Sequence, residues 1–158
     1  MLIKTNAQII INENIESVFD ISTDCENLPK FFTGYQPIPA IVNAKTLDEL
    51  PLHEGSTRIV NNSDGSSVEE ILVQLERPHV QAYKLIKGLK PPFSFLVRSA
   101  QGKWIYTNTD SGVKVDWEFE FEISNILGYL IFNLAVKKPF QKAQEICLEN
   151  IKKYIEGV

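Results

Sequence analysis

The sequence predicts an α+β domain in which a curved antiparallel sheet wraps a long C-terminal helix, with two short helices near the N-terminus. Three observations predict it. Residues 113–123 alternate strictly, Val113, Val115, Trp117, Phe119, Phe121 and Ile123 being interleaved with Lys114, Asp116, Glu118, Glu120 and Glu122, the period of a strand with one buried face. Phe140, Ala143, Cys147, Ile151 and Tyr154 recur at the three-and-four spacing of one helical stripe. Between Pro37 and Ile123, short apolar runs are separated by turn-forming clusters, which points to an antiparallel meander.

Ala7 to Ile11 reads as the opening strand, and Asn14 as the N-cap of a helix over Ile15 to Ser22 with Val18, Phe19 and Ser22 on one face. A second helical piece over Glu26 to Thr33 carries Leu28, Phe31 and Phe32, takes Pro29 in its first turn, and stops at Gly34. Strands follow at Ile38 to Ala44, Thr57 to Asn61, Val68 to Glu76, Val80 to Lys87, Phe95 to Thr109, with Gly102 as a possible break, and Val113 to Ile123. The turns are Leu52 to Gly55, Ser63 to Gly65, Arg77 to His79 and Asp110 to Gly112. At ~3.3 Å per residue the last strand extends roughly 35 Å, so the sheet is expected to curl over the C-terminal helix. Ile126 to Val136 is too short for the ~20 residues that span a bilayer and reads as a buried helix. Pro139 predicts a kink or fresh helix start, and Gly157 the helix end.

With 158 residues the chain fits one domain over 1–158 and can bury roughly 70% of its unfolded surface. A net charge of −4 and a pI near 5.2 disfavour nucleic acid as a partner, because phosphate neutralisation needs a basic surface. Cys25 and Cys147 lie far apart with no Cys-x-x-Cys pair and read as reduced thiols of a cytoplasmic protein. The N-terminal residues lack the pattern of an export signal. His53 and His79 both fall in turns, without a neighbouring nucleophile, and read as surface residues. No Gly-x-Gly-x-x-Gly, Walker loop or His-Glu-x-x-His occurs, so no cofactor and no metal is expected.

The order of elements resembles the helix-grip fold of the START-like (SRPBCC) superfamily, which includes polyketide cyclase/dehydrase-like proteins and the birch pollen allergen family. The residues that carry the resemblance are Glu16-Ser17-Val18-Phe19 followed by Thr23-Asp24, and Gly55-Ser56-Thr57-Arg58. Further on they are Glu70 and Pro78 bracketing a strand, Gly112 to Trp117, and the closing Leu148 to Glu156. The resemblance spans nearly the whole chain. It departs at Asn14, where many relatives have proline, and at Leu89-Lys90-Pro91-Pro92-Phe93, which is longer than usual. It implies an internal cavity and leaves the chemistry open, since relatives include lipid carriers, hormone receptors, coenzyme-Q-binding proteins and cyclases.

The candidate ligand-binding residues are Arg58, Glu69, Tyr83, Arg98, Trp104, Tyr106 and Trp117. Glu69 shares strand parity with Ile71, Val73 and Leu75, which places its carboxyl on the cavity face beside Arg58, although a bulge would exchange it for Glu70. The alternative is that these charges sit at a strand end in water. The four aromatic residues offer large faces with polar tips, suited to a ligand with one or two oxygens, or to ordinary core packing. Arg98 is placed either to meet an anionic head group or to sit solvated in a loop. The leading functional expectation is binding or transport of a small hydrophobic molecule, such as a lipid, quinone or polyketide-like compound. Leu89 to Phe93 would gate its cavity. The alternatives are a polyketide cyclase or dehydratase using a cavity acid or tyrosine, and an interaction domain that uses the charged sheet face.

Overall fold

The computed structural model describes residues 1–91 and 93–157. Seven strands form one antiparallel sheet in the order β1-β7-β6-β5-β4-β3-β2. They are β1 (Leu2–Ile11), β2 (Ile41–Thr46), β3 (Thr57–Asn62), β4 (Ser67–Glu76), β5 (Val80–Lys87), β6 (Val97–Thr109) and β7 (Gly112–Ile123). α1 (Ile15–Thr23), a 3-10 turn (Cys25–Asn27) and α2 (Leu28–Phe31) link β1 to β2; α3 (Phe93–Leu96) precedes β6. α4 (Ile126–Ala135) and α5 (Lys137–Glu156) follow β7. This is the helix-grip architecture.

The strict alternation of β7 buries all six of its apolar side chains. β1 pairs along its full length, with Ile3 opposite Phe121, Ala7 opposite Trp117 and Ile11 opposite Val113. It begins at Leu2 rather than Ala7, because Lys4, Asn6 and Gln8 do not interrupt the strand. They are its outward half, while Ile3, Thr5 and Ala7 are buried. On that outer face Lys4 meets Glu120 at 3.1 Å, a solvated pair of the kind that contributes at most ~1 kcal/mol. β2 begins at Ile41, later than expected, since the chain first turns through an isolated bridge between Tyr35 and Ile38. Phe93–Leu96 is a helical turn, after which β6 runs through Gly102 without a break. Gly102 is where the ring of Tyr83 crosses the strand: a Cβ there would lie 2.4 Å from Tyr83 Cζ.

Asn14 caps α1 through a 2.9 Å bond from Ser17 N to its Oδ1, and Ser22 Oγ meets the Tyr106 hydroxyl at 2.6 Å, pinning that helix to β6. The helical character expected from Glu26 to Thr33 is split between the 3-10 turn and α2. α5 packs on the β1 side of the sheet with Ala143, Cys147 and Ile151 buried as the stripe predicts. Gln144 and Leu148 join them, whereas Phe140 is half-buried and Tyr154 exposed at the helix edge against Phe31. Gly157, at φ 72°, ends the helix. The break between the last two helices falls at Val136, and Pro139 sits inside the first turn of α5, where its missing N–H costs no helical bond.

One expectation is corrected outright. Ile126 to Val136 does form a helix, but not a buried one: within α4 only Gly128 and Phe132 are buried, while Ile126, Leu127, Leu130, Ile131 and Leu134 face outward. The concave face of the sheet is already occupied by α5, so α4 lies at its rim with one narrow side turned inward.

Candidate functional site

Beneath that rim lies a cavity of about 240 Å³. Trp117, Phe119 and Phe121 of β7 form one wall, Tyr83 and Leu85 of β5 another, and Phe132 with Val136 closes it from the α4 side. The inward spacing of every second residue on β7 lays the rings in a row, with Phe119 and Phe121 at 4.8 Å and Phe121 and Phe132 at 4.7 Å between centroids. Leu89 and Phe93 contribute to the mouth, and Lys90 Nζ crosses it to the Gly65 carbonyl at 3.2 Å. Pro92, within the segment expected to gate access, lies outside the described residues. Gly88 makes the turn out of β5 at φ 110°, and any Cβ there would lie 2.1 Å from Ser67 O, so the rim backbone depends on glycine at this point.

Asn62, Asp64, Ser66, Glu70 and Tyr83 belong to the polar part of the lining. Register places Arg58 opposite Glu70 across β3 and β4, and Arg58 Nε donates to Glu70 Oε2 at 2.6 Å with both residues buried. Burial alone would disfavour the guanidinium charge, but the carboxylate beside it outweighs that and holds Arg58 protonated. The guanidinium also lies 4.9 Å from the Tyr83 ring centre, within cation–π range. Burial pushes the Tyr83 phenol well above its ordinary value, and the Glu70 carboxylate adds to the effect, so Tyr83 is a hydrogen-bond donor and not a base at neutral pH. Trp117 Nε1 is buried with no hydrogen-bond partner among the described residues. The indoles of Trp117 and Trp104 beside the Tyr83 hydroxyl offset part of that rise.

The other sequence-derived candidates separate. Glu69 is on the opposite, outer face, 3.0 Å from Lys87, and Glu70 takes the inward position. β4 carries a bulge between Leu72 and Gln74, so parity counted back from Leu75 arrives one residue out of phase. Arg98 is exposed and faces Glu122 at 3.6 Å, away from the cavity. Trp104 is stacked behind Trp117 at 4.5 Å and 22° between planes. Tyr106 is buried deeper, against Ser22 and Phe19, with its phenol raised by desolvation. Tyr83 and Trp117 reach the cavity; Trp104 and Tyr106 support the wall behind it.

A wider cleft of about 1100 Å³ lies outside, between α1, the β2–β3 connection and the β4–β5 turn, and is bordered by Asp20, Asp24, Asp48 and Arg77. Its open, charged edge, where Arg77 grips Asp20 at 2.8 Å, suits solvent better than an apolar ligand. Among the described residues no group of three or more His, Cys, Asp or Glu side chains is arranged to hold a metal ion. No described helix is long and apolar enough to cross a membrane.

Residues 3–156 match the family described as polyketide cyclase / dehydrase and lipid transport. The chain belongs to this family. No curated protein matches it. Among solved structures it is similar to the di-domain ARO/CYC BexL from the BE-7585A biosynthetic pathway, with a TM-score of 0.74 and 15% identity over 98% of this chain and 50% of that one. It thus spans about half the length of that protein. It is also similar to Ara h 8.0201, with a TM-score of 0.71 and 14% identity over 100% of both chains. Major latex-like protein 151 from Panax ginseng has a TM-score of 0.61 and 18% identity over 89% of this chain and 96% of that one. At these identities the likeness is one of fold.

In this member of the polyketide cyclase / dehydrase and lipid transport family, the cavity residues missing from the sequence-derived set include Glu70, Leu85, Phe119, Phe121 and Phe132. Phe119 and Phe121 were recoverable, since they share the parity of Trp117, and Leu85 shares that of Tyr83. Phe132 was not, because an apolar helix carries no mark of which side it turns inward.

Proposed function

We propose that the protein binds and carries a small, mostly apolar molecule in the cavity between its sheet and C-terminal helices. The observation that carries this reading is an aromatic-lined space of about 240 Å³ whose lining also includes the polar residues Asn62, Asp64, Ser66, Glu70 and Tyr83. Buried apolar ligand surface supplies affinity at ~25 cal/mol per Å², and a carbonyl or hydroxyl oxygen on the ligand pairs with the polar groups of the lining. The volume is below the ~300–1,000 Å³ usual for ligand pockets. It therefore suits a compact ligand, or a larger one that displaces Leu89 and Phe93 at the mouth.

A cyclase or dehydratase is the second reading, favoured by the carboxylate of Glu70 in the cavity wall. Against it, Arg58 holds that carboxylate at 2.6 Å and Tyr83 stays protonated, which leaves orientation as their stronger role. Native mass spectrometry of freshly purified protein separates the two. A bound compound that is released and rebound unchanged supports carriage. Conversion of a co-purified compound by the wild type and not by Glu70→Gln supports the enzyme.

A further inference from the structure

The rim of the cavity presents a surface whose chemistry is unlike the rest of the molecule. On α4, Ile126, Leu127, Leu130, Ile131 and Leu134 are exposed, Leu134 at 84%. At 100° per residue these positions fall within one continuous face of roughly 140°. A water-soluble helix normally turns such a face inward. Here the inward side is the narrow one, made by Gly128 and Phe132. α3 packs alongside, with Phe93 and Phe132 at 6.2 Å between ring centres, and its own Phe95 is 73% exposed.

Charge is segregated in the same region. The protein carries −4 overall, yet from Ser124 to Gln144 it has Lys137, Lys138 and Lys142 and no Asp or Glu. Lys142 is paired with Glu145, but Lys137 and Lys138, directly after α4, make no ion pair among the described residues. At ~1.5 Å per residue the helix is about half the ~30 Å of a bilayer core, so it is long enough to lie in an interface and too short to cross one. An exposed apolar helix followed by free lysines is complementary to an anionic lipid surface, where the side chains enter the acyl boundary and the ammonium groups meet the head groups. A second copy of the chain fits less well. A two-fold contact that packed the α4 helices in parallel would set the Lys137–Lys138 pair of each copy against its equivalent, and one that packed them antiparallel would offer those lysines no carboxylate from Ser124 to Gln144 of the other copy.

We propose that the exposed face of α4, with Phe95 of α3, docks this protein peripherally on anionic membranes. Docking rests on the surface alone. Joined to the proposed carrier function it has a further consequence: Phe93 and Phe132 line the cavity beneath the docked face, so an apolar ligand passes between bilayer and cavity without crossing water.

The test is co-sedimentation of the full chain with vesicles of phosphatidylcholine alone and of phosphatidylcholine containing phosphatidylserine. Wild type is expected to partition onto the phosphatidylserine vesicles, and to be released as salt is raised. Leu127→Glu/Leu134→Glu, which alters only exposed positions and should keep the wild-type unfolding midpoint, is expected to lower partitioning at least about tenfold. Lys137→Glu/Lys138→Glu is expected to lower it roughly tenfold on the anionic vesicles. The cavity variant Leu85→Trp should dock as wild type does, which separates failure of the docking surface from failure of the carrier reading. Wild type that stays in the supernatant with both vesicle types overturns the proposal, as does a Leu127→Glu/Leu134→Glu protein that partitions like wild type. Absence of vesicle binding together with a wild-type dimer that this variant converts to monomer assigns the face to self-association instead.

Discussion

Arg58 and Glu70 form a buried ion pair across neighbouring strands, Nε to Oε2 at 2.6 Å, and among the described residues they are the buried charged side chains. Removing charge from water is costly, and the pair is tolerable only because each partner neutralises the other. Arg58→Ala leaves Glu70 unpaired in an apolar wall and is expected to destabilise the fold by about 3–5 kcal/mol. Arg58→Met/Glu70→Leu, which removes both charges, is expected to recover most of that loss. Denaturant midpoints of Arg58→Met, Glu70→Leu and the double variant measure the coupling. Equal losses in the double and the single variants would mean that the pair is already solvated.

Gly102 and Tyr83 make a second, steric pair. Because a methyl at position 102 would meet the rigid Tyr83 ring at 2.4 Å, Gly102→Ala must displace the ring or bend β6, at a cost of about 1–3 kcal/mol. The same substitution in a Tyr83→Leu background is expected to cost less, since the obstructing ring is gone. Thermal unfolding of the four proteins checks this. A Gly102→Ala penalty that does not depend on residue 83 would place the strain elsewhere.

Alkaline stability follows from three buried acids. Desolvation raises the Tyr83 and Tyr106 phenols and the Cys147 thiol above their ordinary values in the folded protein. In the unfolded chain they ionise near pH 8.5 for the thiol and about 10 for the phenols. Their contribution is therefore fully present below pH ~8 and is lost as pH rises beyond those values, where the unfolded chain holds fewer protons than the folded one. The slope is at most about 1.4 kcal/mol per pH unit for each group. Tyr106→Phe is expected to reduce that slope above pH ~10 by one proton while leaving the neutral-pH slope unchanged. Urea titrations between neutral and strongly alkaline pH measure it, and an unaltered slope in the variant would mean that the native Tyr106 ionises with the unfolded chain.

The sheet and its inward face were legible because period-2 alternation in β7 is unbroken: from Val113 to Ile123 each polar residue points out and each apolar one in. That regularity carried Trp117, and by the same parity Phe119 and Phe121, to the cavity wall. Legibility failed where a local irregularity intervened. The bulge between Leu72 and Gln74 shifts the phase of β4, and nothing in Leu72-Val73-Gln74 announces it, so Glu69 and Glu70 exchanged faces. Hydropathy failed differently at α4. It measures what a segment prefers to touch, not whether the fold has a neighbour left to offer, and here Leu127, Leu130 and Leu134 are left exposed. Arg98 belongs to a third case: its strand position is inferable, but its partner Glu122 depends on register across two strands.

The central claim is that the space lined by Tyr83, Leu85, Trp117 and Phe119 is a ligand site and not a packing defect. The most direct test is titration of a hydrophobic fluorescent probe into the native protein and into Leu85→Trp, whose larger indole takes up part of the cavity. The account predicts saturable binding at about one site in the native protein, and loss of that binding in a Leu85→Trp variant that still unfolds cooperatively. Absence of saturable binding to the native protein, or equal binding by Leu85→Trp, would contradict it.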